Sequence, residues 1–319
     1  MPIPALLKDQ LTLPVIGSPM FIVSGPELVI AQCKAGVVGS FPALNARPQA
    51  MLGEWITRIK KELAEFEAET GIKPAPFAVN QICHNSNNRL EEDMATCVEH
   101  EVPIIITSLR PPSFVVEAVH GYGGLVFHDV INTRHAKKAA AMGVDGLILV
   151  CTGAGGHAGT LSPLAFVQQT REWFNGTIIL SGSIATGSSI LAAKAMGADL
   201  AYMGTRFIAT QEANADADYH QHITGSSAED IIYSNLFTGI HGNYIAGSIA
   251  EAGLDPANLD TSDKNAMNFG SGGTSDSKAW KDILGAGQGV GQITDVPKTA
   301  DLVKRLKVEY DNALIKLNS

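Results

Sequence analysis

The chain has 319 residues, of which 45% are hydrophobic and 17% charged, a balance that fits a globular enzyme with a large core and excludes a disordered segment. Its net charge of −9 comes without any basic run, which argues against a nucleic-acid partner, and no apolar run approaches the roughly 18–20 residues of a membrane span. Cys33, Cys83, Cys97 and Cys151 show no pair or ligand spacing, and the start has no basic segment followed by an apolar one; a reducing cytoplasmic setting is the expectation.

Short, almost wholly apolar runs recur along the chain at Val15–Met20, Val37–Ser40, Phe77–Asn80, Ile104–Thr107, Leu125–Asp129, Gly146–Val150, Thr177–Ser181 and Leu200–Gly204. They read as parallel strands covered on both faces. Helical patterns separate them at Glu27–Lys34, Met51–Glu69, Leu90–His100, Phe114–His120, Thr133–Met142, Pro163–Phe174 and Ser188–Met196, and several stop at a glycine such as Gly36, Gly143 or Gly197. Eight strands with seven intervening helices predict an α/β fold of the (β/α)8 barrel type, with an open doubly wound sheet as the alternative. After Phe207 the rhythm breaks. Residues 211–287 read as a mostly helical insertion over the barrel mouth, with helical stretches near Asn214–Thr224 and Ser227–Tyr233, so that residues 1–210 and 288–319 form the barrel; a last helix is expected at Ala300–Leu317. No internal repeat appears beyond the βα rhythm.

Two stretches near the end of that rhythm carry the strongest signal. Leu180-Ser181-Gly182-Ser183-Ile184-Ala185-Thr186-Gly187 and Met203-Gly204-Thr205-Arg206-Phe207 each end an apolar run in small, glycine-bearing turns. Glycines let backbone N–H groups approach an anion, the N-terminus of a helix starting near Ser188 adds partial positive charge, and barrels hold phosphates after strands seven and eight. A phosphorylated cofactor follows.

Catalytic groups in barrels stand just past the C-terminal ends of strands. There this chain places Ser18-Pro19-Met20, Asn80, His84, Arg110, His128-Asp129 and Cys151-Thr152-Gly153-Ala154-Gly155-Gly156-His157-Ala158-Gly159. His157 lies among glycines and alanines that leave it unshielded, and an imidazole is suited in pKa to proton removal near neutrality; its alternative role is to hydrogen-bond loop backbone. Asn80 either hydrogen-bonds a cofactor ring or caps the next turn. For His84, Arg110, His128 and Asp129, structural and functional roles stand equal, and a His128–Asp129 pairing is disfavoured because adjacent strand residues face opposite ways. His241 and Gln288 sit in two further glycine-spaced loops. Metal-ligand clusters, Gly-x-Ser-x-Gly elbows and a GxGxxG dinucleotide fingerprint are not found.

In their order, the Ser18-Pro19-Met20 turn, Asn80, Gly155-Gly156-His157-Ala158-Gly159, Ser181-Gly182-Ser183-Ile184, Gly204-Thr205-Arg206-Phe207, Phe237-Thr238-Gly239 and Ala286-Gly287-Gln288-Gly289 resemble the nitronate monooxygenase family, formerly 2-nitropropane dioxygenases. The resemblance implies a TIM barrel that carries FMN and oxidises alkyl nitronates with O2. Relatives imply the alternative of an NAD(P)H-dependent quinone or enoyl-thioester reductase on the same scaffold, and a flavin-free phosphate-binding barrel is a third reading. Carried over, Ser18, Pro19, Met20 and Asn80 meet the flavin ring, Gly182, Ser183, Gly204 and Thr205 hold its phosphate, Gln288 and Gly289 approach from the lid, Gly156 and Ser181 complete the cofactor set, and His157 is the catalytic residue. Two departures stand out: Gly153 replaces an acidic residue frequent before the Gly-Gly-His, and Asp129 stands where quinone-reductase relatives have a lysine at the end of strand five. The partners implied are a small nitronate or nitroalkane and O2, with no nucleic acid and no membrane; a homodimer is one option for the assembly.

Overall fold

A computed structural model of the chain describes residues 3–110, 113–260 and 283–319. Eight parallel strands, β1 (Val15–Gly17), β2 (Gly39–Pro42), β3 (Phe77–Cys83), β4 (Ile104–Leu109), β5 (Leu125–Val130), β6 (Gly146–Val150), β8 (Thr177–Ser181) and β9 (Leu200–Met203), follow one another in the sheet order β1-β9-β8-β6-β5-β4-β3-β2. A parallel bridge between Ile16 and Val38 joins the two ends and closes the barrel. The helices α1 (Pro26–Lys34), α2 (Met51–Thr70), α3 (Leu90–Glu99), α4 (Ser113–His120), α5 (Thr133–Ala141), α6 (Pro163–Arg171) and α7 (Gly187–Ala195) alternate with them, as the apolar rhythm predicts.

Alternation along each strand builds two cores. Ile16, Val38, Ala78, Ile104, Ile106, Phe127, Ile148, Ile179 and Leu200 fill the barrel interior, while Val15, Phe41, Val79, Ile105, Val126, Leu147, Leu149, Ile178, Leu180 and Met203 meet the helices. Leu7 packs with the inner set, whose Ile104, Leu125 and Leu200 open their strands, so the N-terminal segment stoppers the bottom of the barrel. A repeated device fixes that end. Asp145 accepts the N–H of Val126 at 2.8 Å and pairs with His120, and Asp199 accepts the N–H of Ile178 at 2.8 Å and pairs with Arg171 at 2.6 Å. With one rim plugged and apolar, the open rim at the strand C-termini is left for chemistry.

Past β9 come a four-residue helix α8 (Thr205–Ile208) and the expected helix α9 (Ala217–Gly225). The stretch read as a helix at Ser227–Tyr233 instead forms a 3-10 turn at Ala228–Asp230 followed by strand β10 (Ile231–Ser234). Its Ile-Ile-Tyr run is β-branched and aromatic, and it pairs antiparallel with β11 (Gly242–Ile245), which pairs in turn with the two-residue strand β7 (Gly156–His157) inside the β6–α6 loop. Helix α10 (Ala246–Glu251) follows; residues 261–282 of the expected insertion lie outside the described residues. The closing helix α11 (Thr299–Asn318) buries Leu302, Val303 and Leu306 and packs against α7 and α1. Among the described residues no helix is long and apolar enough to cross a membrane. All four cysteines are free, and burial pushes each thiol up to about 12.

Candidate active site

A cavity of about 1580 Å³ opens at the C-terminal rim, and most of the residues that the sequence singles out line it: Ser18, Pro19, Met20, Asn80, Gly156, His157, Ser181, Gly182, Ser183, Gly204, Thr205 and Gly289. One wall is backbone. Gly182 has φ +136°, and a Cβ there would stand 2.8 Å from the carbonyl oxygen of Thr152, so glycine is required by conformation and by space. Ser183 follows with φ +55°. Among the described residues the N–H groups of Gly182, Gly204 and Thr205 have no backbone partner, while the Thr205 hydroxyl accepts the N–H of Gly287 at 2.9 Å and keeps its proton for another acceptor. Three unpaired N–H groups and two hydroxyls, those of Ser183 and Thr205, on one side of a cavity are the donor set of an anion site.

The helix end that the sequence enlisted beside these turns takes no part. Thr186 and Ser189 form a capping box at the start of α7, Ala185 and Thr186 donate to Ser189 Oγ, and Gly187 donates to Glu309 Oε2 at 2.7 Å. A Cβ on Gly187 would lie 2.2 Å from the Leu306 carbonyl oxygen, which shows how closely α11 covers this terminus. Arg206 is likewise turned away: it is 3% exposed and binds Asp295 at 3.0 Å.

Gln288 does not line the cavity. Its N–H donates to the Gly153 carbonyl at 2.9 Å, and its side chain lies over Gly153, where a Cβ would meet Gln288 Oε1 at 2.8 Å. It braces the strand-six loop, together with Asn243, whose Nδ2 donates to the Ala154 carbonyl at 2.6 Å. Gly153, two residues before the Gly-Gly-His, has φ +78°, and a Cβ there would meet Ser183 Oγ at 2.2 Å, which explains why that position carries no larger side chain here.

Next to these donors lies the Ser18-Pro19-Met20 turn, where the Ser18 N–H donates to the Met203 carbonyl at 2.8 Å. Asn45 pins the following loop, donating to Met20 and Ser24 carbonyls and accepting the N–H of Ile22, a residue with φ +65°. Asn80 is buried at the cavity edge, and its Nδ2 donates to the Ile106 carbonyl at 3.3 Å.

His157 enters from β7. Its Nε2 lies 2.9 Å from Thr238 Oγ1, and that hydroxyl gives its single proton to the Ile240 carbonyl at 2.9 Å. With the Thr238 proton on that carbonyl, the imidazole donates from Nε2 and its lone pair is on Nδ1. Burial pushes its pKa down to about 4, so the ring is neutral at physiological pH.

The remaining candidates separate. His128 points out of the barrel, 2% exposed, with Nδ1 2.8 Å from Thr107 Oγ1, and burial pushes its pKa down to about 4. His84 sits 2.8 Å from Ser86 Oγ beside a smaller pocket shared with Arg110. His241 stacks on Tyr233 with ring centroids 5.0 Å apart. Asp129 alone of this group lines the cavity together with His157. Sequence reading gave no role to Tyr202, Thr238 and Asn243; Tyr202 was the most findable, a lone phenol on an otherwise apolar strand two residues before Gly204.

The family model described as nitronate monooxygenase matches residues 5–309. A nitronate monooxygenase from Paraburkholderia phytofirmans is 27% identical over 291 residues, 76% of each chain. Among solved structures, nitroalkane oxidase from Streptomyces ansochromogenes superposes with a TM-score of 0.76 at 22% identity, covering 98% of this chain and 100% of that one. FabK from Thermotoga maritima does so with a TM-score of 0.77 at 21% identity, covering 98% and 96%.

Proposed function

Because the chain belongs to the nitronate monooxygenase family, and is thus an oxidoreductase, we propose that it binds FMN at the open rim and oxidises alkyl nitronates with O2. The observation that carries this reading is the joining, in one cavity, of an unpaired backbone donor set and a half-buried neutral imidazole.

The residues fit the cofactor. Gly182, Ser183, Gly204 and Thr205 supply donors for a phosphate, and among the described residues no lysine lines the cavity and its one arginine, Arg47, is held at Phe21 and Leu44, so neutralisation there comes from N–H dipoles. Ser18, Pro19 and Met20, beside Gly204, and Asn80 offer further lining to a flat ring. When bound, FMN supplies a two-electron acceptor that dioxygen can reoxidise.

His157 acts on the substrate. Its Nδ1 lone pair takes the α-proton of a neutral nitroalkane; the electron pair of the C–H bond moves into the nitro group, and the product is the nitronate. Low proton affinity in the empty site is offset at that moment, since the new imidazolium faces the new anion. With a substrate that arrives as a nitronate, no proton need move, and His157 orients it. Thr238 holds the tautomer that makes both tasks available.

The deciding experiment takes the absorption spectrum of the purified protein, then adds NADH and propionate-3-nitronate anaerobically in turn. A flavin spectrum bleached by the nitronate and untouched by NADH is expected. Bleaching by NADH would make it a reductase, and a colourless protein that takes up no FMN would sink the cofactor reading.

A further inference from the structure

The floor of the cavity holds two polar atoms that the mechanism leaves unused. Asp129 is the penultimate residue of β5 with its side chain turned into the barrel mouth, and among the described residues its buried Oδ1 has no hydrogen-bond partner, nor has the buried hydroxyl of Tyr202 on β9. The two interact electrostatically, yet neither satisfies the other. A buried acceptor and a buried hydroxyl left open on one surface cost free energy unless a ligand completes them.

Among the described residues no lysine or arginine pairs with the carboxyl. The neighbouring strands β4 and β6 carry no ionisable side chain, His128 on β5 itself points away, and His120 on α4 is engaged with Asp145. On α5, His135 lines the cavity, and Arg134, Lys137 and Lys138 do not; His157 lies in the same cavity, and Arg47, its single arginine, sits over the Phe21 ring and donates to the Leu44 carbonyl. Burial alone raises the Asp129 pKa, to about 7.

We propose that Asp129, with the Tyr202 hydroxyl beside it, meets the flavin ring from the barrel floor and takes up a proton whenever the ring accepts electrons. This rests on the FMN reading above. A nitronate that gives up an electron pair and takes oxygen from water breaks its C–N bond, leaving as a carbonyl compound and nitrite with two protons released. The pair would pass to FMN, when bound, and one proton would rest on the Asp129 carboxylate, which becomes a neutral hydrogen-bond donor. Dioxygen would then take the pair and two protons as hydrogen peroxide, leaving Asp129 ionised again. An ionised Asp129 would repel the reduced ring, so the fold replaces a fixed positive charge by a titrating acid.

The test measures the midpoint potential of FMN bound to the intact protein from pH 6 to pH 9, in wild type and in Asp129→Asn. The wild-type potential should fall with pH more steeply, by one proton per electron pair, so that the ratio of reduced to oxidised FMN affinity changes about tenfold more per pH unit than in the variant. Parallel lines overturn the proposal. A second reading needs no variant: the reduced-minus-oxidised infrared difference spectrum of wild type at pH 8 should gain a protonated-carboxyl C=O stretch, and a spectrum without that band overturns the proposal equally. Tyr202→Phe should weaken both redox states of FMN about fivefold while leaving the slope intact. Failure of wild type to take up FMN would instead remove the cofactor reading itself, which separates the two failures.

Discussion

The two walls of the cavity are built from different material. On the β8–β9 side the donors are main-chain N–H groups at Gly182, Gly204 and Thr205, set by turns that follow directly from their strands. On the other side the reacting group is a side chain, His157, delivered by a small sheet whose three strands lie at residues 156–157, 231–234 and 242–245. A backbone wall depends on a few local conformations and so is written in glycines. The side-chain wall depends on chain segments far apart meeting in register, and local sequence hardly records it.

The comparison is broken most severely at Gly182. Valine there would need φ near +136° and would drive its Cβ against the Thr152 carbonyl, a backbone atom that cannot swing aside. Gly182→Val should cost about 1–3 kcal/mol of stability and should weaken FMN binding at least 100-fold, roughly 3 kcal/mol. Fluorescence titration with FMN and thermal unfolding of the apoprotein separate the two losses; retained affinity would show that the anion site lies elsewhere.

Next in size is the opposite wall. His157→Asn should lower kcat/KM for neutral nitroalkanes by about 10²–10³, the range for loss of a general base, while nitronates lose less than about tenfold. Equal losses for both substrate forms would reduce His157 to a positioning role. Thr238→Val leaves the ring but removes the acceptor of its Nε2 proton, and a smaller decrease, about fivefold to tenfold, should appear again on nitroalkanes alone.

The same contrast decides what could be read in advance. All eight barrel strands are legible because parallel strands buried on both faces are short apolar runs, and the inner and outer cores simply sort their alternate residues. The anion wall is legible for the reason given above. By contrast, Ser227–Tyr233 reads as a helix because its strand identity comes from pairing with Asn243 and Tyr244, and through them with Gly156. Gln288 reads as a cofactor contact since its glycine-spaced loop says nothing about the direction of its side chain, which Gly153 captures. Asp129 and His128, adjacent in sequence, differ only by the pleat: one faces the cavity and the other the Thr107 hydroxyl.

His128 gives a prediction on stability from outside the cavity. Its folded pKa of about 4 lies below the ordinary histidine value near 6.5. As pH falls through that interval the unfolded chain takes up the proton first, so the folded state loses about 3 kcal/mol between pH 6.5 and pH 4 and nothing further below. Asp129 acts with the opposite sign, because its raised pKa means the unfolded carboxyl ionises first as pH rises toward 7. Urea denaturation of the apoprotein at several pH values should therefore show stability changing less favourably with rising pH between 4 and 6.5 in His128→Asn than in wild type, and more favourably in Asp129→Asn. Identical profiles in all three proteins would remove both groups from the linkage.

The smallest effect sharpens the boundary of the backbone wall. Helix α7 starts five residues after Gly182, and a bare helix terminus so close to the turn would add its partial charge to the anion site. The structure assigns that terminus to Glu309, whose carboxylate accepts the Gly187 N–H, and to Ser189, with α11 packed too tightly for anything else to enter. Glu309→Ala should cost about 1 kcal/mol in unfolding free energy, the usual worth of a cap, and leave FMN affinity within about twofold of wild type, the tolerance for a group outside the site. A gain in affinity would mean that Glu309 suppresses a positive end which the cofactor can feel through α7. An unchanged affinity together with the stability loss confines the phosphate to the N–H groups of the two turns, where the cradle needs no helix behind it.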